Sequence, residues 1–297
     1  MSNPPFFVVG SQRSGTTLLR LILNSHSSLY LPYESGFLQV FKQFPGEFAD
    51  LNVNPETVTE AILEEDYTKR GAFLKRSFLD EITPRPGNFA QLYSGLLQVA
   101  CDKAEKKRWG IKTPGYHTHI DELVCLFKGC KIIHLVRDGR AVAESLKRTS
   151  WGSNNILKIA QEWDENIHWA HKMGSMVPNQ YIEIKYEDLV SCPQDTLEKI
   201  CQFLGIGFEP GMLDFHETAQ EEMPKETIVW HQNSVSPPKT DKIDSWKTKL
   251  SKTDRAIFQA AAKRSLRLFD YEIEDLALGV WGKTLQIAYF FRKQQQP

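Results

Sequence analysis

Residues 10–17 read Gly-Ser-Gln-Arg-Ser-Gly-Thr-Thr, set between the apolar run Phe6-Phe7-Val8-Val9 and the stretch Leu18-Leu19-Arg20-Leu21-Ile22-Leu23. This order predicts a strand, a phosphate-cradling loop and a helix. The spacing of Gly10 and Gly15 is that of a P-loop, but Thr16 occupies the place where nucleoside-triphosphate enzymes carry lysine. Backbone N–H groups at a helix N-terminus still favour a phosphate or sulfate. The cation that reaches the terminal phosphates of ATP or GTP is missing. A different phosphorylated donor is expected, with the positive charge supplied by Arg13 or from elsewhere.

Three further strands are expected, at Arg108–Lys112, Lys131–Val136 and Tyr181–Tyr186. Helical patterns lie at Ala141–Lys147, Ile156–Met173, Thr196–Leu204 and Thr253–Leu268. Strands alternating with helices predict an α/β fold with a parallel sheet flanked by helices. Ligands of such sheets bind beyond the C-terminal strand ends. The loop, Lys112 and Arg137 each follow a strand, so three site elements converge on one edge. Residues 35–105 read as a helical insertion, with helices near Leu38–Phe41, Val58–Tyr67 and Phe89–Ala100. Turns are expected at Pro45-Gly46, Pro55 and Pro84-Arg85-Pro86-Gly87. Residues 216–247, with Pro224 and Pro237-Pro238, read as a long loop suited to a lid. Residues 1–297 are expected to form one domain.

The 36 basic and 37 acidic residues nearly cancel, and there is no basic tail, so nucleic acid is not an expected partner. The five cysteines are scattered without a Cys-x-x-Cys pair, which suits free thiols in a reducing compartment. No stretch approaches the roughly 20 apolar residues of a membrane span, and Phe6–Val9 is too short for a secretory leader. A cytoplasmic location is expected. The segment Leu276–Phe291, within an extension at about 275–297, is expected to form a packed C-terminal helix; the alternative is a membrane-surface or oligomer contact.

The second strong signal is Arg137-Asp138-Gly139-Arg140-Ala141-Val142-Ala143-Glu144-Ser145. Arg137 is suited to fork onto a phosphate, and Ser145 to donate a hydroxyl hydrogen bond. Further motifs are Trp109-Gly110-Ile111-Lys112-Thr113-Pro114, Tyr186-Glu187-Asp188-Leu189-Val190, Pro193 and Phe203-Leu204-Gly205. This ordered set, from about residue 5 to about residue 270, resembles the sulfotransferases that use 3′-phosphoadenosine-5′-phosphosulfate (PAPS). The Arg-Ser-Gly-Thr-Thr loop is similar in style to the branch that includes the tyrosylprotein sulfotransferases.

The resemblance implies roles. Arg13, Ser14, Gly15, Thr16 and Thr17 would hold the 5′-phosphosulfate, Arg137 and Ser145 the 3′-phosphate, and Tyr186 would lie near the adenosine. Residues 234–246 resemble the segment that closes over the nucleotide. Many relatives carry a basic residue before its tryptophan; this chain has Ser245, and Lys239, Lys242 or Lys247 remain open as substitutes. Glu34 stands where the tyrosylprotein branch has its general base, and Lys112 resembles that branch's catalytic lysine. His117 and His119 stay as alternatives for the base, because the cytosolic sulfotransferases use a histidine shortly after the equivalent lysine; here the position two after Lys112 is Pro114.

The expected reaction is in-line transfer of the sulfuryl group of PAPS to an acceptor hydroxyl, giving a sulfate ester and 3′,5′-adenosine bisphosphate (PAP). Glu34 takes the acceptor proton, while Arg13, Lys112 and the loop N–H groups stabilise oxygen charge. Protein cations cover that charge, so no metal is expected. The rivals are a P-loop kinase and a nucleotide-binding module without catalysis. Thr16 opposes the first, and the presence of both Glu34 and Lys112 the second. The acceptor is open among small-molecule, carbohydrate and lipid hydroxyls. Tyr33, Phe37, Phe41, Phe73, Phe78, Phe89 and Tyr93 are available to line its pocket.

Overall fold

The computed structural model describes residues 3–44, 55–65, 73–84, 86–223 and 234–276. Five strands form one parallel sheet: β1 (Phe6–Gly10), β2 (Leu29–Tyr30), β3 (Arg108–Lys112), β4 (Lys131–Val136) and β5 (Tyr181–Lys185), in the order β2-β3-β1-β4-β5. The expected α/β architecture is borne out. β1 is central, with Val8 opposite Lys112 on one side and Ile133 on the other.

The central strand β1 is apolar and buried throughout because both faces of the sheet are covered. Phe7, Val9, Trp109, Ile111 and Ile132 enter one core, and Phe6, Val8, Ile133, Leu135 and Ile184 another. This is the period-two alternation of a pleated strand. Gly110 is required in β3 because a side chain there would strike the ring of Phe6.

Helices α1 (Thr16–Asn24), α2 (Phe37–Phe41), α3 (Pro55–Glu64), α4 (Phe89–Lys103) and α5 (Ile120–Leu126) precede β4. Then come α6 (Gly139–Leu146), α7 (Ile156–Ser175), α8 (Tyr186–Ser191), α9 (Pro193–Leu204), α10 (Trp246–Lys249), α11 (Lys252–Ala261) and α12 (Lys263–Leu268). The covering of the first face includes α4. Phe37, Phe78, Phe89 and Tyr93 are buried there, with Phe37 stacked on Tyr93 at 4.5 Å. These four aromatics fill the core between insertion and sheet rather than standing free to line an acceptor pocket.

Other expectations are corrected in detail. Tyr186 opens α8 instead of ending β5. The helical pattern at 253–268 is two helices that meet at Ala262. The stretch 216–247 is not structureless: it begins in a 3₁₀ helix (Pro210–Glu217), contains a short turn of 3₁₀ helix (Thr240–Lys242) and ends in α10. Pro45-Gly46, Arg85, Pro224, residues 277–291 of the expected C-terminal helix and the rest of the extension to 297 lie outside the described residues.

Candidate active site

The loop between β1 and α1 takes its shape from two left-handed residues. Arg13 has φ 67° and Gly15, the N-cap of α1, has φ 97°. At Arg13 this conformation costs about 1–2 kcal/mol. Left-handed residues within such a loop turn backbone N–H groups inward as an anion nest. The Ser14 N–H and hydroxyl both donate to the Ser11 carbonyl, at 3.1 and 2.6 Å, closing the turn. Tyr186 packs so closely that a Cβ on Gly15 would overlap its ring.

One flank of the loop is cationic. Arg13 Nε donates to Ser145 Oγ at 3.0 Å, and Arg137 donates to the Arg13 carbonyl at 3.0 Å. The Arg137 guanidinium lies 4.4 Å above the Tyr186 ring. Its Nε is buried and finds no hydrogen-bond partner among the described residues. Burial, then the charges of Arg137 and Arg148, press Arg13 below its ordinary range. Crowded cations with a spare donor fit an incoming anion.

Behind Arg137 the strand end is fixed by a buried fork. Arg140 donates to both oxygens of Asp138, at 3.0 and 2.7 Å, and to Gln259 Oε1 at 2.7 Å. Its guanidinium stacks 3.8 Å from the buried Trp246 ring. Glu187 accepts from the Asp138 N–H at 3.0 Å and from the Tyr271 hydroxyl at 2.9 Å, and burial raises its pKa. Trp246 therefore braces the strand end. Of the lysines left open beside it, Lys247 is paired with Glu272 at 3.1 Å and Asp244 at 3.3 Å. Lys239 caps the start of the turn at Thr240–Lys242, and Lys242 is its last residue.

The opposite flank holds Lys112 and Glu34. Lys112 ends β3 and is fully buried. Its Nζ donates to Glu34 Oε1 and, at 3.2 Å, to Thr17 Oγ1. Burial drives the Lys112 pKa down, Glu34 pulls it back up, and Arg20 lowers it further. The backbone next to Glu34 is held by hydroxyls. Thr113 and Tyr116 donate to the Ser35 carbonyl at 2.8 and 3.2 Å, and Tyr93 donates to Ser35 Oγ at 2.7 Å. After β3 the chain stays beside β1, with Gly115 N–H donating to the Gly10 carbonyl at 2.9 Å.

Thus Glu34, Lys112 and Thr17 come together on one side of the loop, and Arg13, Arg137, Ser145 and Tyr186 on the other. The histidines sit differently. His117 is buried with its ring stacked on His134 at 5.7 Å, and burial pushes its pKa down to about 3. His119 Nδ1 shares a hydrogen bond with Thr118 Oγ1 at 2.8 Å. Sequence reasoning passed over Arg20, the Asp138–Arg140–Trp246 brace and the hydroxyls on Ser35. A charged residue inside the apolar run Leu18–Leu23 was the one available signal.

A sulfotransferase family model matches residues 4–210. The chain belongs to the sulfotransferase family. An uncharacterized protein of Aquifex aeolicus is 28% identical over 230 residues, which are 73% of this chain and 27% of that protein. A putative protein-tyrosine sulfotransferase of Caenorhabditis briggsae is 24% identical over 216 residues, covering 71% of this chain and 69% of the relative. The chain thus spans about a quarter of the first relative's length and about two thirds of the second's. The solved sulfotransferase domain of the Synechococcus PCC 7002 olefin synthase superposes with a TM-score of 0.65 at 24% identity, covering 92% of this chain and 98% of that domain. The expected family and fold are therefore both found.

Proposed function

We propose that this sulfotransferase moves the sulfuryl group of PAPS to an acceptor hydroxyl, with PAP as the second product. The observation that carries the reading is the placement of a carboxylate–ammonium pair and an arginine–serine cluster on opposite flanks of one anion-cradling loop. Donor binding falls to the loop residues Arg13, Ser14, Gly15, Thr16 and Thr17 for the phosphosulfate. Arg137 and Ser145 take the 3′-phosphate, and Tyr186 lies beside the nucleoside.

Glu34 takes the acceptor proton as the acceptor oxygen attacks sulfur. Lys112, whose ammonium is buried, is aimed at charge developing on the departing phosphate oxygen, where low dielectric strengthens its effect. Positioning and electrostatics carry the rate, as in phosphoryl transfer. Small-molecule, carbohydrate and lipid hydroxyls are the acceptors proposed, with residues 35–105 shaping their approach within a single domain. Among the described residues no helix is long and apolar enough to cross a membrane. We place the enzyme in the cytoplasm, where its unpaired cysteines stay reduced.

Calorimetric titration with PAP, ATP and 5′-AMP, without magnesium, tests the donor site. Selective binding of PAP, lost in Arg137→Ala, is expected. Preference for ATP, strengthened by magnesium, would overturn the reading.

A further inference from the structure

Arg20 lies one helical turn into α1, amid Leu18, Leu19, Leu21, Ile22 and Leu23, and is 1% exposed. Taking a guanidinium out of water costs several kcal/mol, so a buried arginine is poor evidence for stability alone. Its nearest oxygens belong to neutral groups. One terminal nitrogen donates to the Leu31 carbonyl at 3.1 Å and the other to the Glu222 carbonyl at 3.2 Å. The Glu222 carboxylate stands further off, at 3.8 Å. The fork therefore places backbone more than it pairs charge.

Leu31 is held from both sides. Asn24, one turn further along α1, accepts from the Leu31 N–H at 2.7 Å and donates to Glu222 Oε2 at 2.8 Å. Two side chains of the loop's own helix thus grip the peptide groups on either side of Leu31, three residues before Glu34. The Tyr33 ring is near both cations, 6.0 Å from Arg20 and 5.2 Å from Lys112. The charged and titratable groups acting on Arg20 are Glu222, Tyr33 and Glu34, and Arg20 in turn acts on Lys112.

We infer that Arg20 is a positioning residue: its fork to Leu31 and Glu222 sets where Glu34 meets Lys112. The same fork ties that segment to the chain entering residues 224–247. The inference rests on the catalytic reading of Glu34 and Lys112. Packing alone does not require a fork, and a single ammonium at this position does not span two carbonyls on different segments.

The test uses Arg20→Lys, Arg20→Met and Asn24→Ala, measured in full-length protein. PAP affinity by calorimetry should stay within about threefold of wild type. Turnover of PAPS with an acceptor found by screening should fall on the order of 10- to 100-fold in kcat, as expected for a misplaced reacting group. Lysine should not rescue the kcat loss. Independently of turnover, the Lys112 side-chain NMR signal should titrate at lower pH in Arg20→Lys, which keeps the charge, than in wild type, because the Glu34 contact that raises the Lys112 pKa is weakened. If both arginine variants fail to fold, Asn24→Ala carries the kcat test. Wild-type kcat in Arg20→Lys or Asn24→Ala, equal losses of PAP affinity and kcat, or an unmoved Lys112 titration would overturn the inference. Failure of the wild type to bind PAP would instead overturn the donor reading, while the Lys112 titration would still report on Arg20.

Discussion

Glu34→Gln separates the two flanks of the site. The substitution keeps the shape and an amide oxygen for Lys112, whose ammonium also retains Thr17 Oγ1 at 3.2 Å. What disappears is the ability to accept a proton. General-base catalysis contributes roughly 10²- to 10⁴-fold, or about 3–5 kcal/mol of barrier. The same change removes a negative charge from the pocket that receives a multiply charged donor. At a separation of ~8 Å and an effective dielectric constant of ~40, one such charge is worth about 1 kcal/mol. PAP should therefore bind as well as to wild type, or up to ~5-fold more tightly, while kcat falls at least ~100-fold.

Calorimetry with PAP and steady-state turnover of PAPS with a screened acceptor measure the two quantities separately. Turnover within about threefold of wild type would remove Glu34 from the base role and turn attention to His119. A parallel loss of turnover and PAP affinity would mean that Glu34 supports the loop rather than the proton transfer.

Other outcomes follow from the same geometry. Gly15→Ala adds a side chain at φ 97° against the Tyr186 ring; a cost of about 1–2 kcal/mol for the conformation alone should weaken PAP binding at least ~5-fold by calorimetry. Lys112→Met combined with Glu34→Gln should abolish turnover yet leave thermal stability unchanged or higher, because a buried charge pair is exchanged for neutral groups. His117 is neutral in the folded protein, with a pKa near 3 against 6.5 unfolded. The unfolded chain therefore binds the extra proton, and stability present above pH 6.5 is lost as the pH falls towards 3, at about 1.4 kcal/mol per pH unit. His117→Phe should flatten the acid side of the stability–pH curve between pH 6.5 and 5, and an unchanged slope would contradict the neutral buried state.

The β1–loop–α1 unit was legible because strand, glycine spacing and helix are contiguous in sequence, and Lys112 and Arg137 because each stands at the end of a strand-like run, short for Lys112 and strong for Arg137. β2 is two residues long, too short to show alternation. α8 was hidden because Tyr186 continues the strand's composition across the helix start. The brace of Arg140 on Asp138, Gln259 and Trp246 joins residues more than a hundred positions apart, and no local pattern announces it. The aromatics of the insertion carried no mark of whether they faced a ligand or the sheet; the ring of Phe7 beneath Phe37, at 6.1 Å, shows which won.

Thr16 in the lysine position gains a physical meaning from this arrangement. A P-loop lysine places one cation along the axis of a linear polyphosphate. Here the cations come from three places: Arg13 in the loop, Lys112 at the end of β3 and Arg137 just after β4. They occupy both sides of the cradle rather than one axis. In the proposed donor the 5′-phosphosulfate and the 3′-phosphate are set apart on one nucleoside, so two separated anionic ends can meet separated cations, Arg13 and Lys112 at one end and Arg137 at the other. A triphosphate concentrates its charge at one end and would leave the Arg137 flank without a partner. On that argument, selectivity comes from the spacing of the cations more than from their number, and a lysine restored at position 16 would not by itself convert the site to ATP.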